Sequence, residues 1–267
     1  MKKIRLYQNT AFKVGDKVEL DKDNSHHLVK VLRFAAGKNI TLFNGDGQDY
    51  SANVISAKNV TLVEISSKQI NDTESKLDLT LAQGIAKGEK MDFLIQKAVE
   101  LGITRIIPMQ TERCVVRLRA EKVQKKIEHW QKIANHACEQ SGRSVVVDIS
   151  LPRTLKDLLA EPNHNGFVLH HRATSGLAKL KHSSKATILI GPEGGLTDQE
   201  IKESTDAGFK PLLLGKRVLR TETASLVAIA NMQLLWGSCS QQSALRVVRF
   251  YFYSASPSSL LSSRARS

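Results

Sequence analysis

Several features that mark secreted, membrane-bound or metal-binding proteins are missing from this chain. Its 3 cysteines are an odd number with no Cys-x-x-Cys pair, which argues against a disulfide framework and against a zinc ribbon. No apolar run is long enough to span a bilayer, and the basic start MKKIRLYQNT lacks the apolar segment of a signal peptide. The adjacent histidines at 26–27 and 170–171 have no cluster of further ligand residues around them. We therefore expect a cytoplasmic protein that uses neither a membrane nor a metal.

Acidic residues are scarce as well. The chain has 26 Asp and Glu against 39 Lys and Arg, a net charge of +13, and this surplus favours a polyanionic partner such as nucleic acid or anionic lipid. Residues 238–267 contain no Asp or Glu, are rich in serine and carry the aromatic cluster FYFY at 250–253. We expect this atypical tail to be disordered or loosely attached, and an extra RNA-binding arm is the less favoured alternative.

Residues 1–70 have the pattern of a small domain built of strands. GDKVEL, NITLFNGDGQDY, SANVISAK and NVTLVEISS alternate apolar and polar residues, and Asn44-Gly45 and Asp46-Gly47 are strong signals for tight turns. Only SHHLVKVLRF is typical of a helix, which Gly37 would end. The pattern predicts a small, mostly β barrel or sheet.

The polar stretch NDTESK at 71–76 is the best candidate for a domain boundary, because the pattern changes after it. Apolar strand candidates (LDLTLAQGIA, RIIPMQ, GFVLHH, ATILIG and KPLLLG) now alternate with amphipathic helices. We expect helices over 89–102, ending at Gly102, over 121–140 and over 222–236. Thr197 and Glu200 form a capping box for one more helix, which Gly208 would close. Such alternation predicts an α/β domain over 71–237, with a parallel sheet covered on both faces.

Two successive stretches, ILIGPEGGLTDQEI at 188–201 and LLLGKRVLRTETASL at 212–226, each pass from a strand through a glycine turn into a helix. In an open parallel sheet, ligands bind beyond the carboxyl ends of the strands, so both loops would open on one crevice. Tight turns alone are the alternative explanation for the glycines. Neither loop has a nucleotide-phosphate fingerprint, and Glu193 would repel phosphate. A neutral or zwitterionic ligand with an adenine-like edge fits these loops better than ATP or NAD.

These two stretches, together with ACEQSGR at 137–143, resemble the RsmE family of ribosomal RNA uridine methyltransferases within the SPOUT class. The resemblance extends over residues 1 to about 237, because MKKIRLYQN and HHLVKVLRFAAGKNITLFNGDG fit the N-terminal PUA-like barrel of that family. It implies an α/β SPOUT domain with a C-terminal trefoil knot and a homodimer. It also implies transfer of a methyl group from S-adenosylmethionine to ring nitrogen 3 of a uridine in small-subunit (16S) ribosomal RNA.

The resemblance also implies which residues hold the cofactor. They lie in three strand-end loops: Leu169, His170, Ile190, Gly191, Pro192, Glu193, Gly195, Leu214, Gly215, Val218, Leu219, Arg220 and Thr223. The amphipathic last helix supplies a plausible dimer face, although core packing explains its apolar residues equally well.

The imide nitrogen of uracil is a poor nucleophile until it loses its proton, so the reaction needs a base or a group that stabilises the anion. Glu139 and Glu222 are the candidate bases, and each lies near an arginine, Arg143 or Arg220. An arginine could stabilise charge on the uracil oxygens, and a structural salt bridge is the alternative for each. We favour a catalytic role for Arg220 and leave Arg143 open. Asn135 and Gln140 could bind the uracil edge.

Basic residues that could follow an RNA backbone occur in both parts of the chain: Arg5, Lys30, Arg33 and Lys38 in the barrel, and Arg113, Arg117 and Arg119 around TERCVVRLR. The target base must be unpaired or flipped, because nitrogen 3 lies on the pairing edge. Free RNA and the assembled subunit both remain possible substrates. Two further hypotheses are a SPOUT enzyme that methylates another position, such as a ribose 2′-hydroxyl, and a non-catalytic RNA-binding or assembly factor. The intact TETA and EQSGR motifs argue against lost catalysis.

Overall fold

A computed structural model describes residues 4–58, 60–161, 165–176 and 181–237, so the tail at 238–267 lies outside the described residues. The chain forms two sheets. The first contains β1 (Arg5–Tyr7), β2 (Lys17–Glu19), β3 (Asn39–Phe43), β4 (Gln48–Ala57) and β5 (Thr61–Ile70), in the order β1-β3-β4-β5-β2. β1 runs parallel to β3, and the other pairs are antiparallel. The four strands predicted in this region are confirmed, whereas β1, which is defined by its parallel pairing with β3, was not predicted.

A side chain joins the two edge strands of the first sheet. Gln8, which follows β1, donates from Nε2 to the carbonyl oxygen of Glu19 (3.0 Å) and accepts at Oε1 from the amide of Asp21 (3.0 Å). The predicted tight turn between β3 and β4 is confirmed, with Gly45 and Gly47 at φ 100° and 80°. The amide of Asp46 donates to Oδ1 of Asn44 (3.1 Å), which is the local bond that makes asparagine favourable in such turns.

The predicted helix of this region starts earlier and ends earlier than expected. α1 (Lys22–His26) continues directly into a π-helical turn (His27–Val31). It starts at Lys22 because the carboxylate of Asp21 accepts from the amide of Asn24 (2.8 Å), a standard N-cap bond. It ends well before Gly37, and Arg33 already has a left-handed φ of 50°. Leu28 anchors this segment in the core of the first sheet.

The second sheet is entirely parallel. It contains β6 (Asp78–Gly84), β7 (Arg105–Gln110), β8 (Asp148–Ile149), β10 (Gly166–Leu169), β11 (Lys185–Ile190) and β12 (Lys210–Leu212), in the order β12-β10-β11-β6-β7-β8. A short β9 (Arg153–Thr154) also pairs with β7. All five predicted strands are confirmed. β8 and β9 were missed, because a strand of two residues is defined by its partner and leaves no sequence pattern.

Helices cover both faces of this sheet, as the alternating pattern predicts. α2 (Glu89–Glu100), α3 (Ala120–Ser141) and α6 (Thr221–Trp236) pack on one face, and α4 (Leu155–Leu159) and α5 (Asp198–Asp206) on the other. The capping box of α5 is present, with reciprocal bonds between Thr197 and Glu200. Gly102 and Gly208 follow their helices with φ of 89° and 91°. No helix in the described ranges has the length and hydropathy needed to cross a membrane.

The two sheets share buried surface. Phe43 of β3 is fully buried in the same cluster as Leu77, Val99 and Trp130 of the α/β part, and Tyr7 packs against this cluster. The first sheet therefore packs against α3 of the α/β part.

Candidate active site

A cleft of about 750 Å³ lies at the carboxyl ends of β10, β11 and β12. The turn after β10 contributes Leu169 and His170 to its lining. Most of the predicted cofactor residues lie around this cleft: Leu169, His170, Ile190, Gly191, Pro192, Glu193, Gly195, Leu214, Gly215, Val218, Leu219 and Arg220. Thr223 is exposed one turn into α6 and is not part of the lining. The crevice expected from the two strand-end loops is present, and the binding role of its residues stays a prediction.

The glycines of the two loops are required for different reasons. A Cβ on Gly191 would lie 2.7 Å from the carbonyl carbon of Gly195 and from the amide of Leu196, so the loop folds back on itself here. For Gly191 the tight-turn explanation is therefore sufficient. A Cβ on Gly215 would meet nothing within 4 Å, although Gly215 lines the cleft. A side chain at 215 would have open space around it rather than a clash within the chain.

Charged groups hold the GPEGG loop in place. Arg113 donates from Nη1 to the carbonyl oxygen of Gly194 (3.1 Å) and, more weakly, to that of Leu196 (3.5 Å). Glu193 accepts at Oε1 from the amide of Lys87 (3.1 Å) and pairs with Lys90 (3.2 Å). Burial acts to raise the pKa of Glu193, but these bonds outweigh burial and lower it overall. The carboxylate that we expected to repel anions therefore already has a cationic partner.

His170 lines the cleft, and its surroundings favour the neutral imidazole. Burial lowers its pKa, and the neighbouring His171 and Arg172 lower it further. The ring stacks edge-on against His171, with 5.0 Å between the ring centres. At neutral pH His170 therefore adds a hydrogen-bonding ring to the cleft, and the positive charge of this turn belongs to Arg172, which also lines the cleft and pairs with Asp198.

The first turn of α6 contributes the two catalytic candidates that reach the cleft. Arg220 is the residue that precedes the helix, and Glu222 lies in its first turn. Oε2 of Glu222 is buried and has no hydrogen-bond partner among the described residues. A buried polar atom without a partner is costly. Within the described ranges, Nε of Arg5 and Oγ1 of Thr61 also lack partners but lie outside the cleft, so the position of Glu222 in the lining is what makes it a candidate.

Arg143 and Glu139, the other catalytic candidates, do not line this cleft. Arg143 is only 4% exposed, and Nε and Nη2 grip both oxygens of Glu74 at 2.9 and 2.6 Å. Nη1 donates to the carbonyl oxygens of Val99 (2.9 Å) and Ile103 (2.8 Å), so the guanidinium group of Arg143 makes its hydrogen bonds inside the fold. These contacts favour the salt-bridge interpretation of Arg143.

Glu139 connects α3 to the first sheet. Its Oε1 accepts from the amide of Tyr7 (2.9 Å), and its Oε2 pairs with Nδ1 of His136 (3.0 Å). This bond is the main cause that raises the pKa of His136. These bonds, outside the cleft, favour a structural role for Glu139, and its catalytic role stays a prediction.

Arg5 belongs to the same contact between the sheets and is not an open basic residue. It pairs with Asp49 (2.7 Å) and donates from Nη2 to the carbonyl oxygen of Arg143 (3.2 Å) and to Oγ of Ser144 (2.8 Å). Burial acts to raise the pKa of Asp49, but hydrogen bonds from Arg5, Ser144 and Asn71 lower it overall. We call this group of residues the joint: Arg5, Asp49, Asn71, Glu74, Glu139, Arg143 and Ser144.

The remaining RNA candidates lie on the surface. Lys30, Arg33 and Lys38 of the first sheet are exposed, and the Nζ of Lys38 lies 5.1 Å from the ring centre of Phe34. Arg117 donates to the carbonyl oxygen of Glu112 (3.3 Å), and Arg119 precedes α3. Asn135 accepts from Gln131 (3.0 Å), and Gln140 is exposed on the same helix. Arg113 alone of the RNA candidates lines the cleft.

Sequence reasoning did not single out three buried polar residues: Gln83 and Ser225 behind the cleft, and Thr221 in its lining. A weak signal was present, because Gln83 places a large polar side chain after Leu81 and Ala82 in the buried strand LDLTLAQGIA and a buried polar residue needs a partner. Which partner it has depends on residues more than a hundred positions away, and no sequence pattern shows that pairing.

Comparisons with known proteins agree with this architecture. A family model described as RNA methyltransferase domain matches residues 73–233, and a model described as RNA methyltransferase PUA domain matches residues 20–65. The fold and the site thus define the class of PUA-containing RNA methyltransferases.

Proteins with similar sequences identify the family within this class. The chain is 33% identical over 240 residues to ribosomal RNA small subunit methyltransferase E of Buchnera aphidicola from Schizaphis graminum, covering 88% of this chain and 98% of the relative. It is 34% identical to the Bacillus subtilis protein of the same name, over 77% of this chain and 85% of the relative. The chain belongs to the ribosomal RNA small subunit methyltransferase E family.

Solved structures give the same result. The Neisseria gonorrhoeae ribosomal RNA small subunit methyltransferase E, solved with S-adenosyl methionine, superposes with a TM-score of 0.84 at 38% identity and covers 90% of this chain and 100% of its own. A methyltransferase from Legionella pneumophila, solved with bound cofactor SAM, superposes with a TM-score of 0.87 at 37% identity and covers 89% of this chain and 100% of its own.

Proposed function

We propose that this protein transfers the methyl group of S-adenosylmethionine to ring nitrogen 3 of a uridine in small-subunit (16S) ribosomal RNA. Family membership supports the rRNA methyltransferase activity, and the two neighbours solved with S-adenosylmethionine support the cofactor. The observation that carries the proposal furthest is the unpartnered buried oxygen of Glu222 in the cleft, beside Arg220.

The cleft has the properties that S-adenosylmethionine requires. Its volume of about 750 Å³ lies within the range of about 300–1,000 Å³ that is usual for small-molecule sites. Acidic residues (Glu193, Asp198 and Glu222) line the cleft beside its basic ones and could attract the sulfonium cation, and Gly215 leaves space open beside the loop. The proposed cofactor contacts are the lining residues from all three strand-end loops, and Thr223 remains a proposed contact through the first turn of α6.

The two residues at the start of α6 divide the chemistry on the uracil. When bound, S-adenosylmethionine supplies an electrophilic methyl group. The Glu222 carboxylate accepts the proton of nitrogen 3, and the nitrogen lone pair then forms the new bond to carbon as the bond from carbon to sulfur breaks. The guanidinium of Arg220 stabilises the negative charge that the deprotonated ring places on its carbonyl oxygens. Arg220 and Glu222 both lie at the start of α6, so the helix backbone limits the distance between the two charges.

We also propose the trefoil knot, and strand order supports it. β12 pairs with β10 at one edge of the sheet, yet the next element, α6, packs against β11, β6 and α2 near the centre. The chain after β12 therefore returns past the loops that leave β10 and β11, which is the path that a knot requires. Knots are otherwise very rare, so the family relationship carries the remaining weight.

The proposed assembly is a homodimer that acts in the cytoplasm on rRNA. Leu234 and Leu235 at the end of α6 are 58% and 46% exposed, which is consistent with a face that a second subunit covers. We further propose that residues 1–70 form an RNA-binding domain. Lys30, Arg33 and Lys38 are exposed there and would contact phosphates, whereas Arg5 is held in the joint.

Nucleoside mass spectrometry of ribosomal RNA from strains with and without the gene tests the reaction. We expect N(3)-methyluridine to disappear from 16S rRNA in the deletion strain and to return with the wild-type gene. Loss of a 2′-O-methylated nucleoside instead would show that the ribose hydroxyl is the acceptor, and an unchanged nucleoside profile would favour the non-catalytic RNA-binding hypothesis.

Calorimetry tests the cofactor site. We expect Gly215→Val to abolish binding of S-adenosylmethionine, because the added side chain enters the open space of the cleft. Gly208→Val, at a helix end outside the cleft, is the control, because it also places a β-branched side chain at a glycine of positive φ (91°, against 155° at Gly215) without reaching the lining. Equal cofactor affinity in the two folded variants would place the cofactor elsewhere.

A further inference from the structure

Behind the cleft lies a small buried network of side-chain hydrogen bonds that begins at Gln83, near the end of β6. Gln83 is 0% exposed and is not part of the cleft lining. Its Nε2 donates to Oγ1 of Thr221 (2.9 Å), and Oγ1 of Thr221 donates to the carbonyl oxygen of Gly191 (2.7 Å). One amide group therefore connects the start of the GPEGG loop to the first residue of α6.

The orientation of this amide is determined by its surroundings. Nε2 also faces the carbonyl oxygens of Gly84 (2.9 Å) and Gly191 (3.4 Å), which can only accept. Oε1 accepts from Oγ of Ser225 at 2.6 Å, one turn further along α6. With Nε2 and Oε1 exchanged, an oxygen would face two carbonyl oxygens, so only the observed orientation satisfies the group.

The network lies where the two proposed functions of the cleft meet. Gly191 begins the loop that is proposed to contact the cofactor, and Thr221 stands between Arg220 and Glu222, the residues proposed to act on the uracil. The backbone of β6 approaches this loop closely, because a Cβ on Gly84 would lie 2.4 Å from the nitrogen of Pro192. The bond from Thr221 to Gly191 joins the loop to α6 directly, and Gln83 adds the bonds that fix both of them to the end of β6.

We propose that Gln83 is a positioning residue for methyl transfer, which holds the cofactor loop and the start of α6 in register without touching either substrate. This inference rests on the proposed function. It assigns a role to a residue that an all-apolar strand would not need, and it extends the active site to the layer behind its lining. Losing the register would displace the cofactor loop from Glu222, and small displacements of reacting groups can cost about 100-fold in rate.

The test compares Gln83→Met with Gln131→Met, which is a matched control. Gln131 also uses its side-chain amide to bind the backbone, at the carbonyl oxygen of Val147 (2.9 Å) and the amide of Ile149 (3.2 Å), but it does so on α3 away from the cleft. Both variants lose side-chain amide bonds to the backbone, fully buried at Gln83 and partly buried at Gln131, and keep a side chain of similar length. Calorimetry with S-adenosylmethionine, RNA binding and steady-state kinetics are measured on both.

We expect Gln83→Met to weaken S-adenosylmethionine binding about tenfold, as for the loss of one or two hydrogen bonds, and to lower kcat by about 10–100-fold. Its KM for RNA should stay unchanged. Gln131→Met should leave cofactor affinity and kcat at the wild-type level. Cofactor affinity and kcat that agree within about twofold between the two variants would overturn the proposal.

A second pair of variants decides the matter if Gln83→Met does not fold. Thr221→Val keeps the shape of the side chain and removes the hydroxyl that links Gln83 to Gly191, whereas Thr221→Ser keeps the hydroxyl. We expect the same split between kcat and the KM for RNA in Thr221→Val, and near-complete recovery in Thr221→Ser. No recovery in Thr221→Ser would overturn the proposal, because the hydroxyl would then not be the group that matters. A wild-type protein that does not bind S-adenosylmethionine would instead refute the proposed function.

Discussion

The cleft and the joint are both rich in charged residues, yet their polar groups are used differently. In the joint, Arg143 binds a carboxylate and two backbone carbonyls, and Arg5 binds a carboxylate and a backbone carbonyl through its Nη atoms, although its Nε has no partner in the described part of the chain. In the cleft, a carboxylate oxygen of Glu222 is buried without any bond among the described residues. Saturated groups hold a structure together, whereas an unsatisfied group in a concave site indicates a ligand or substrate. The comparison therefore separates the two candidate bases, because both oxygens of Glu139 in the joint are bonded whereas Oε2 of Glu222 in the cleft is not.

Breaking the joint should have the largest effect, and the effect should be on stability. Glu74→Gln removes the charge that faces Arg143 and leaves a buried guanidinium without its counter-ion. We expect the free energy of unfolding to fall by about 3 kcal/mol. Urea denaturation measures this change, and activity per folded molecule should stay at the wild-type level.

Lys202→Ala is the control for this variant, because Lys202 pairs with Asp206 on the exposed surface of α5. It should change the free energy of unfolding by less than about 0.5 kcal/mol. A loss of turnover in folded Glu74→Gln, with little change in stability, would contradict the structural role of the joint.

Removing the arginine of the cleft should have the next largest effect, and on turnover. Arg220→Ala removes the group that would stabilise charge on the uracil, so we expect kcat to fall by about 100-fold. The RNA dissociation constant and the free energy of unfolding should change little. Single-turnover kinetics at saturating RNA measure this change. Weaker RNA binding at unchanged kcat would show that Arg220 binds the RNA and does not stabilise charge during the reaction.

An arginine on the surface of the first sheet should affect RNA capture alone. Arg33→Ala should weaken RNA binding several-fold and reduce the slope of log affinity against log salt by about 0.7, because one counterion fewer is released. Arg33→Lys keeps the charge and should retain most of the affinity. A variant with normal affinity and salt slope would remove Arg33 from the RNA surface.

The smallest effect concerns pH at the rim of the joint. The pKa of His136 is raised above 6.5 in the folded protein, so its pairing with Glu139 stabilises the fold fully below pH 6.5 and loses this contribution as pH rises through the folded pKa. The His136 side chain is 73% exposed, so the contribution should be only a few tenths of a kcal/mol.

Urea denaturation of wild type and His136→Gln across this pH range measures the difference. The two stability curves should separate below pH 6.5 and converge at higher pH. Curves that stay parallel at every pH would show that the pair adds no pH-dependent stability.

Local sequence patterns predicted the elements well where a bond lies within a few residues. The capping box of Thr197 and Glu200 and the stop at Gly102 are of this kind, and both are present. The same reasoning failed where the hydrogen-bond partner is distant in the sequence. Arg143 and Arg220 each stand near a glutamate in the sequence, but Arg143 binds Glu74, 69 positions away. Nothing near Arg143 in the sequence indicates that choice.

The strand-end loops were the best signal for the site, because their position follows from topology and not from individual contacts. The residues behind the lining could not be found in the same way. Gln83 bonds to Thr221, 138 positions away, across a fold whose chain path a single sequence does not reveal. The buried amide of Gln83 requires a hydrogen-bond partner, but the sequence does not show which residue supplies it.

Phe43 limits how the two halves of this protein could be exchanged in evolution or in the laboratory. Its strand is hydrogen-bonded within the first sheet, while its ring fills the core of the second. A fragment that ends at Ile70 would place this ring in water and deprive Asp49 of Ser144. Gene recombination could therefore not transfer the first sheet intact to another enzyme, and heating should melt both sheets in a single calorimetric transition.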